Sequence, residues 1–323
     1  MSHRPRLVSA IAPAMLGGLL LAGCGASPTS TPPTSSPASK AVAGLTPNAA
    51  VAVVRQYMQK EWAAEATWNT AAQNQLEVAP QGSVDDASWT YEKASNATPP
   101  SPPSNLPTLP TTVMVPRDAT VFEALTNGTY MVFVKRGGAW MQIYSPGVEK
   151  GAPTLTPLTD AAGYTKLMTA GAVSRPKFSP ATMAAHLSAD LAAAARGTVE
   201  GDPMFSTGPY MSQALQGLAA QHFSSATAAP AAYPVYGFLL KGTGEGALVF
   251  FSVKLTDTAT AAPGSTLTIS PTSPYRSFIK PGSYQSVTNT ELFNLAVVDP
   301  PAGSANPADI VGLSYGTIAI SGQ

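Results

Sequence analysis

Residues 121–144 read VFEALTNGTYMVFVKRGGAWMQIY. Three runs rich in β-branched and aromatic residues are separated by Asn127-Gly128 and Gly137-Gly138. Such dipeptides permit the positive φ that two-residue hairpin turns need, so the stretch predicts an antiparallel meander. The preceding run TVMVP (112–116) extends it to three or four strands. From Tyr130 to Val134 every residue is apolar. A strand of period two with one wet face would alternate, so this one is expected to be covered on both sides.

Working outward from the meander, the pattern changes. Thr46-Pro47 opens a segment with Val51, Val54, Met58 and Trp62 at helical spacing. Thr as N-cap and Pro in the first turn predict a helix from there to about Val78. Ser83 with Asp86 resembles a capping box for a second helix through Trp89 and Tyr91, with Asp85 and Asp86 as first-turn acids. Residues 97–112 are proline-dense and read as an exposed loop. After a turn-rich stretch the order recurs. Ser179-Pro180 starts a helix to about Arg196, and another spans about Tyr210 to Phe223. Strand-like runs follow at 233–242, 246–258, 265–270, 292–299 and 309–321, with Gly242-Thr243-Gly244 joining the first two as a hairpin.

The expected class is therefore α+β. Two helix-then-antiparallel-sheet halves, residues 45–172 and 173–323, resemble cystatin-like or NTF2-like curved sheets in their order of elements.

The front of the chain reads differently. Arg4 and Arg6 precede an apolar run from Leu7 to Leu21, and small residues lead to Cys24, the sole cysteine in 323 residues. This is the layout of a secretory signal, and the run is shorter than the ~20 apolar residues of a membrane span. The ending Leu21-Ala22-Gly23-Cys24 resembles the lipobox of bacterial secreted lipoproteins. That resemblance implies removal of residues 1–23 and a diacylglycerol on the Cys24 thiol. It also implies a palmitate-type anchor on the outer face of the bacterial cell membrane. Residues 25–40, GASPTSTPPTSSPASK, hold no large apolar side chain. They cannot bury enough surface to offset their ordering entropy, so residues 24–44 read as anchor plus tether. In overall arrangement the chain is similar to uncharacterised lipoproteins of actinobacterial-type secretomes, a likeness that implies no activity.

Charge narrows the partners. Lys and Arg number 18, Asp and Glu 18; without Arg4 and Arg6 the balance is −2. That is no footprint for nucleic acid. Charged residues make up 11%, against ~25% in an ordinary soluble domain, so Ser, Thr, Asn, Gln and Ala must cover much of the surface.

No catalytic set is complete. Gly312-Leu313-Ser314-Tyr315-Gly316 has the G-x-S-x-G spacing of a nucleophile elbow. An elbow needs a helix after the serine, then an acid and a histidine. Here TIAIS follows, a strand, and no His, Asp or Glu remains beyond it. Ser174-Arg175-Pro176-Lys177 has S-x-x-K spacing, but Pro176 disfavours the helix that would align Ser and Lys. His186 and His222 are the histidines beyond the leader, and Asp190, one turn after His186, reads as a surface contact. No cofactor and no metal is expected.

The remaining candidate is an apolar pocket on a concave sheet, lined by Trp62, Tyr130, Trp140, Phe238 and Phe250. The sequence thus predicts a non-catalytic binding or scaffold module of the cell envelope, tethered to the membrane and partnered by an envelope protein. A carrier or sensor of an apolar small molecule or lipid is the alternative.

Overall fold

The computed structural model describes residues 44–101, 111–117, 120–168, 176–199, 201–242 and 246–323. Its helices are α1 (Pro47–Glu65), α2 (Thr70–Gln73), α3 (Gln81–Ala94), α4 (Pro180–Ala195) and α5 (Pro209–Ala219). Two starts agree with the capping chemistry. Thr46 accepts the Ala49 N–H at 3.2 Å, and Ser179 accepts that of Thr182 at 3.0 Å.

Two helix boundaries differ from expectation. The helix expected to reach Val78 stops at Glu65. Trp68 takes a left-handed φ of 50°, and Asn69 turns back to Ala64 O and then caps α2 through Ala72 N. An asparagine side chain competing for backbone N–H groups is a helix start, and it ends whatever precedes it. The second helix begins at Gln81 with Pro80 at its cap position and no side-chain cap, so Ser83 and Asp86 do not form a capping box. Asp85 and Asp86 accordingly lie beyond the first turn.

The strands are β1 (Thr111–Met114), β2 (Val121–Thr126), β3 (Thr129–Arg136), β4 (Ala139–Tyr144), β5 (Gly147–Val148), β6 (Phe205–Thr207) and β7 (Ser225–Pro230). β8 (Tyr236–Leu239), β9 (Ala247–Thr260), β10 (Leu267–Ile269), β11 (Gly282–Tyr284), β12 (Ser286–Asp299) and β13 (Ala308–Gly322) follow. Among the described residues eleven of them form one open sheet, ordered β1-β2-β3-β5-β13-β12-β9-β7. β4 pairs with β3 and β8 with β9; β6, parallel to β13, is the exception to antiparallel pairing. β10 and β11 form a separate ribbon. The fold is α+β, and its two runs of strands share the main sheet through the two-residue β5, which bonds to Thr129 of β3 and to Gly312 and Leu313 of β13.

The meander is as the turns predict. Asn127, Gly128, Gly137 and Gly138 all have positive φ, and β2, β3 and β4 pair in order. β3 is covered on both faces. Met131 and Phe133 pack with Ala50, Val54 and Met58 of α1. Tyr130, Val132 and Val134 pack the other way, against Phe238, Leu248 and Phe250. β9 is likewise two-sided, since Val249, Phe251 and Val253 meet Met183, Leu187 and Leu191 of α4 and Met211 and Leu215 of α5.

These contacts require a strongly curled sheet. β3 and β9 stand four strands apart in the ladder, about 19 Å if the sheet were flat. Yet the Tyr130 and Phe250 rings lie 6.1 Å apart. The sheet folds over on itself and encloses a middle core. The layers are α1, then β1–β4, then β8, β9, β12 and β13, then α4 and α5. Glu149, just after β5, accepts the Tyr210 and Met211 N–H groups at 2.8 and 2.6 Å, capping α5 from outside its own helix. Gly208 leaves room for that carboxylate, because a Cβ there would lie 2.5 Å from Oε2.

Candidate functional site

Burial of polar side chains is costly unless each finds a partner, so a buried polar cluster marks where the sequence departs from simple core building. One such seam runs from α1 across the start of α3 to the inner face of β9 and β12. Tyr57 comes from α1, Gln73 from α2, Glu77 from the link to α3, and Gln81 and Asp85 from α3 itself. Gln142 comes from β4, Ser252 from β9 and Asn294 from β12; all eight side chains are buried.

Local geometry explains the assembly. Residues 76–78 pair with the outer edge of β4, through Val78 N to Gln142 O at 2.9 Å and Gln142 N to Leu76 O at 2.8 Å. This fixes Glu77 beside Gln142. Gln81, Asp85 and Ser88 recur at i, i+4 and i+7, so α3 turns a polar stripe inward. Ser252 donates to Asn294 Oδ1 at 2.7 Å, and Asn294 Nδ2 to Gln81 Oε1 at 3.2 Å. Gln81 Nε2 then donates to Asp85 Oδ2 at 2.9 Å.

At the other end the Tyr57 hydroxyl lies 2.5 Å from Glu77 Oε1 and 2.7 Å from Gln142 Oε1. One hydroxyl hydrogen cannot serve two acceptors. Burial, reinforced by the charges of Asp85 and Glu61, pushes the Glu77 carboxyl well above the ordinary carboxylate range. A protonated Glu77 resolves the count: its O–H donates to the Tyr57 oxygen, and Tyr57 donates to Gln142. The Tyr57 hydroxyl is itself pushed up, first by burial and then by Glu61 and Glu77, and stays neutral. Tyr57→Phe is expected to cost about 1–2 kcal/mol of unfolding free energy by urea titration. A double-mutant cycle with Glu77→Met, which removes the donor, should show coupling above about 0.5 kcal/mol, and additive losses would contradict the bond.

The seam binds helices to sheet; with Tyr57 4% and Glu77 3% exposed, it offers no group to a solvent-borne substrate. A shallow cleft adjoins it between α3, the 3-10 turn Pro274–Ser277 and β13. Val84, Tyr91, Tyr275 and Phe278 line it, and it is partly open to solvent and too small for more than a water-sized guest.

The five residues expected around one apolar pocket separate into two groups. Tyr130, Phe238 and Phe250 meet in the middle core, with Phe238 and Phe250 centroids 6.2 Å apart. Trp62 and Trp140 lie on the far side of β3, against the α1 cluster, where the Trp140 ring meets Phe122 edge-on at 4.9 Å. Ser314 of the G-x-S-x-G stretch lies within β13, opposite Asn294, with no helix after it. His186 pairs with Asp202, Nδ1 to Oδ2 at 2.6 Å. Burial and the Asp202 charge raise Asp190 to about 6. His222 sits with its ring against Gly197. Cys24 and Ser174 lie outside the described residues. Among the described residues no three His, Cys, Asp or Glu side chains are grouped to hold a metal ion, and no helix is long and apolar enough to cross a membrane.

The seam was not foreseen. Its only sequence signal is the polar spacing of Gln81, Asp85 and Ser88, which is also how an exposed helix face reads. No curated protein and no solved structure matches the chain at a significant level. Residues 41–322 match the model of a domain of unknown function, DUF8094, which takes in every helix and strand described above, and the chain belongs to that family.

Proposed function

We propose that this chain is a lipid-anchored, extracytoplasmic scaffold or binding module of the bacterial cell envelope, held to the outer face of the cell membrane by a diacylglycerol on Cys24. The observation that carries the reading is the junction. The lone cysteine ends an apolar leader at Leu21-Ala22-Gly23-Cys24, a Ser/Thr/Pro tether follows, and the family match begins at residue 41. An anchor, a spacer and a folded domain succeed one another along the chain, with the Ser/Thr/Pro run of residues 25–40 ending where the family match begins. The finer fold reading, two cystatin-like or NTF2-like curved-sheet halves, belongs to the same proposal and is supported by the curl of the sheet.

A non-catalytic partner-binding role is favoured over an apolar carrier because Tyr130, Phe238 and Phe250 are 0–1% exposed and packed on one another. A pocket residue keeps a face for its ligand; these three have none free. The partner is an envelope protein, in keeping with the low net charge, and no nucleic acid is implied.

The anchor is tested by intact mass and detergent-phase partitioning of the chain from bacterial membranes. The native form is expected in the detergent phase with Cys24 at its N-terminus carrying acyl mass, and Cys24→Ala in the aqueous phase. An unmodified Cys24 in membrane-derived protein sinks the anchor. Crosslinking on intact cells tests the scaffold role; recovery of a copurifying lipid and no protein partner would favour the carrier.

A further inference from the structure

Fourteen buried side-chain atoms among the described residues have no hydrogen-bond partner, and five of them belong to three neighbours on β9 and β12. Both carboxylate oxygens of Asp257, both of Glu291 and the amide oxygen of Asn289 are in this state. Asp257 is 0%, Glu291 1% and Asn289 3% exposed. Asn289 and Asp257 are direct cross-strand partners, and Glu291 follows two residues later on the same face. All three face the α4 and α5 side, in line with Leu255 and Phe293 of the core below.

Two buried acids whose near donor is the Asn289 amide, and that only in poor geometry, form an unusual core element. Burying one unpaired carboxylate costs several kcal/mol, and two at close range repel as well. The Asn289 amide approaches both carboxyls without good hydrogen-bond geometry to either. It is the independent sign of a ligand here, since its carbonyl oxygen is also buried and unpartnered. Beside Glu291 the β12–β13 ladder slips by one residue, Thr290 facing Ala319 and Glu291 facing Thr317. Bulges re-aim side chains and recur next to functional sites.

We infer that Asp257, Glu291 and Asn289 form a binding site for a divalent cation of the calcium type. The chemistry matches on three counts. All five free atoms are oxygens, which hard cations prefer. Two carboxylates balance a charge of +2, so the bound site is neutral and the burial penalty is largely relieved. Calcium accepts bidentate carboxylates and amide carbonyls in irregular geometry, and two bidentate acids, with the Asn289 amide turned over to present its oxygen, supply five of its usual 6–8 ligands, water completing the shell. Magnesium demands near-ideal octahedral geometry, which two bidentate carboxylates on one strand face do not offer. The site would clamp β9 to β12 where both strands lead into the β10–β11 ribbon.

The test uses the full-length chain purified in detergent without chelator. Metal analysis should find about one calcium per chain. Calcium at about 5 mM, above the ~10⁻⁴–10⁻³ M range of extracellular calcium modules, should raise the melting temperature over the EDTA-treated protein by about 3–5 °C. Magnesium should give less than half that shift. The response should vanish in the Asp257→Asn/Glu291→Gln double variant. Should that variant not fold, Asn289→Asp serves instead: a third carboxylate is expected to tighten calcium binding at least fivefold. Metal-free protein with a melting temperature indifferent to calcium overturns the site, leaving protons to neutralise the acids. Binding that is unchanged in the variants overturns it too, since the ion then sits elsewhere.

Discussion

Truncating Phe250 to alanine is expected to cost about 3–5 kcal/mol of unfolding free energy, the largest loss from a single side chain in this fold. The ring is 0% exposed and meets Tyr130 and Tyr144 at 6.1 Å and Phe238 at 6.2 Å. These neighbours come from β3, β4 and β8, so collapse onto the vacated space would have to move several strands together. Partial collapse leaves a cavity, and the cavity adds to the lost transfer energy. Urea titration checks the value, with the m-value unchanged if unfolding stays two-state. A loss below about 1 kcal/mol would show that the middle layer is loosely filled, and would favour the apolar-carrier reading over the scaffold. In the expected case the variant gains a site for a small aromatic molecule that the native protein lacks.

Glu123→Gln should act in the opposite direction. Glu123 lies on β2 opposite Val132, 1% exposed and facing the middle core, with Oε1 unpartnered. Burial alone pushes its carboxyl well above the usual range, so the folded chain holds a proton that the unfolded chain releases near pH 4.3. The folded state therefore binds more protons than the unfolded state at any pH between those two values. Stability contributed by this group is greatest in acid and falls as pH rises toward the folded pKa. Glutamine keeps the shape and has no proton to lose. Relative to wild type, the variant should gain about 1.4 kcal/mol of stability for each pH unit from pH 5 up to the folded pKa, and keep that gain above it. Thermal melts at both ends of that range measure it. A difference that stays constant with pH would mean that Glu123 titrates normally and is reached by water.

These two residues also show what could be read before folding. The strands carrying them are legible, since β-branched runs between Asn-Gly and Gly-Gly turns leave little choice of local structure. Tyr130 to Val134 even announces a strand covered twice, because no polar residue interrupts it. Which aromatic meets which is another matter. Trp140 and Tyr130 are both candidates on sequence, yet one faces α1 and the other the middle core, and only the curl of the sheet decides it. β7 escaped notice because Ser225–Pro230 is built of Ser, Ala, Thr and Pro; pairing with β9 makes it a strand, not its own propensity. The seam was hidden for a similar reason. Gln81, Asp85 and Ser88 look like an exposed face, and their burial follows from Asn294 and Ser252 waiting on strands more than 160 residues away. Acids that cluster by cross-strand register, as Asp257 and Glu291 do, leave no spacing rule in the chain.

The position of β13 has a consequence for how the molecule is made. It is the last strand in chain order, yet it stands in the interior of the sheet, between β12 on one side and β5 and β6 on the other. Elements before it can form hairpins and helices as they emerge, but β5 has no ladder to the β9–β12 pair until residues 308–322 arrive. Until then β5 and the free edge of β12 present open backbone to any other strand nearby. Vectorial synthesis thus leaves the earlier strands waiting for the fifteen residues of β13. A holdase that covers those edges would raise folding yield more than any gain in core stability. Loss of the closing strand should scatter the layers, not merely loosen them.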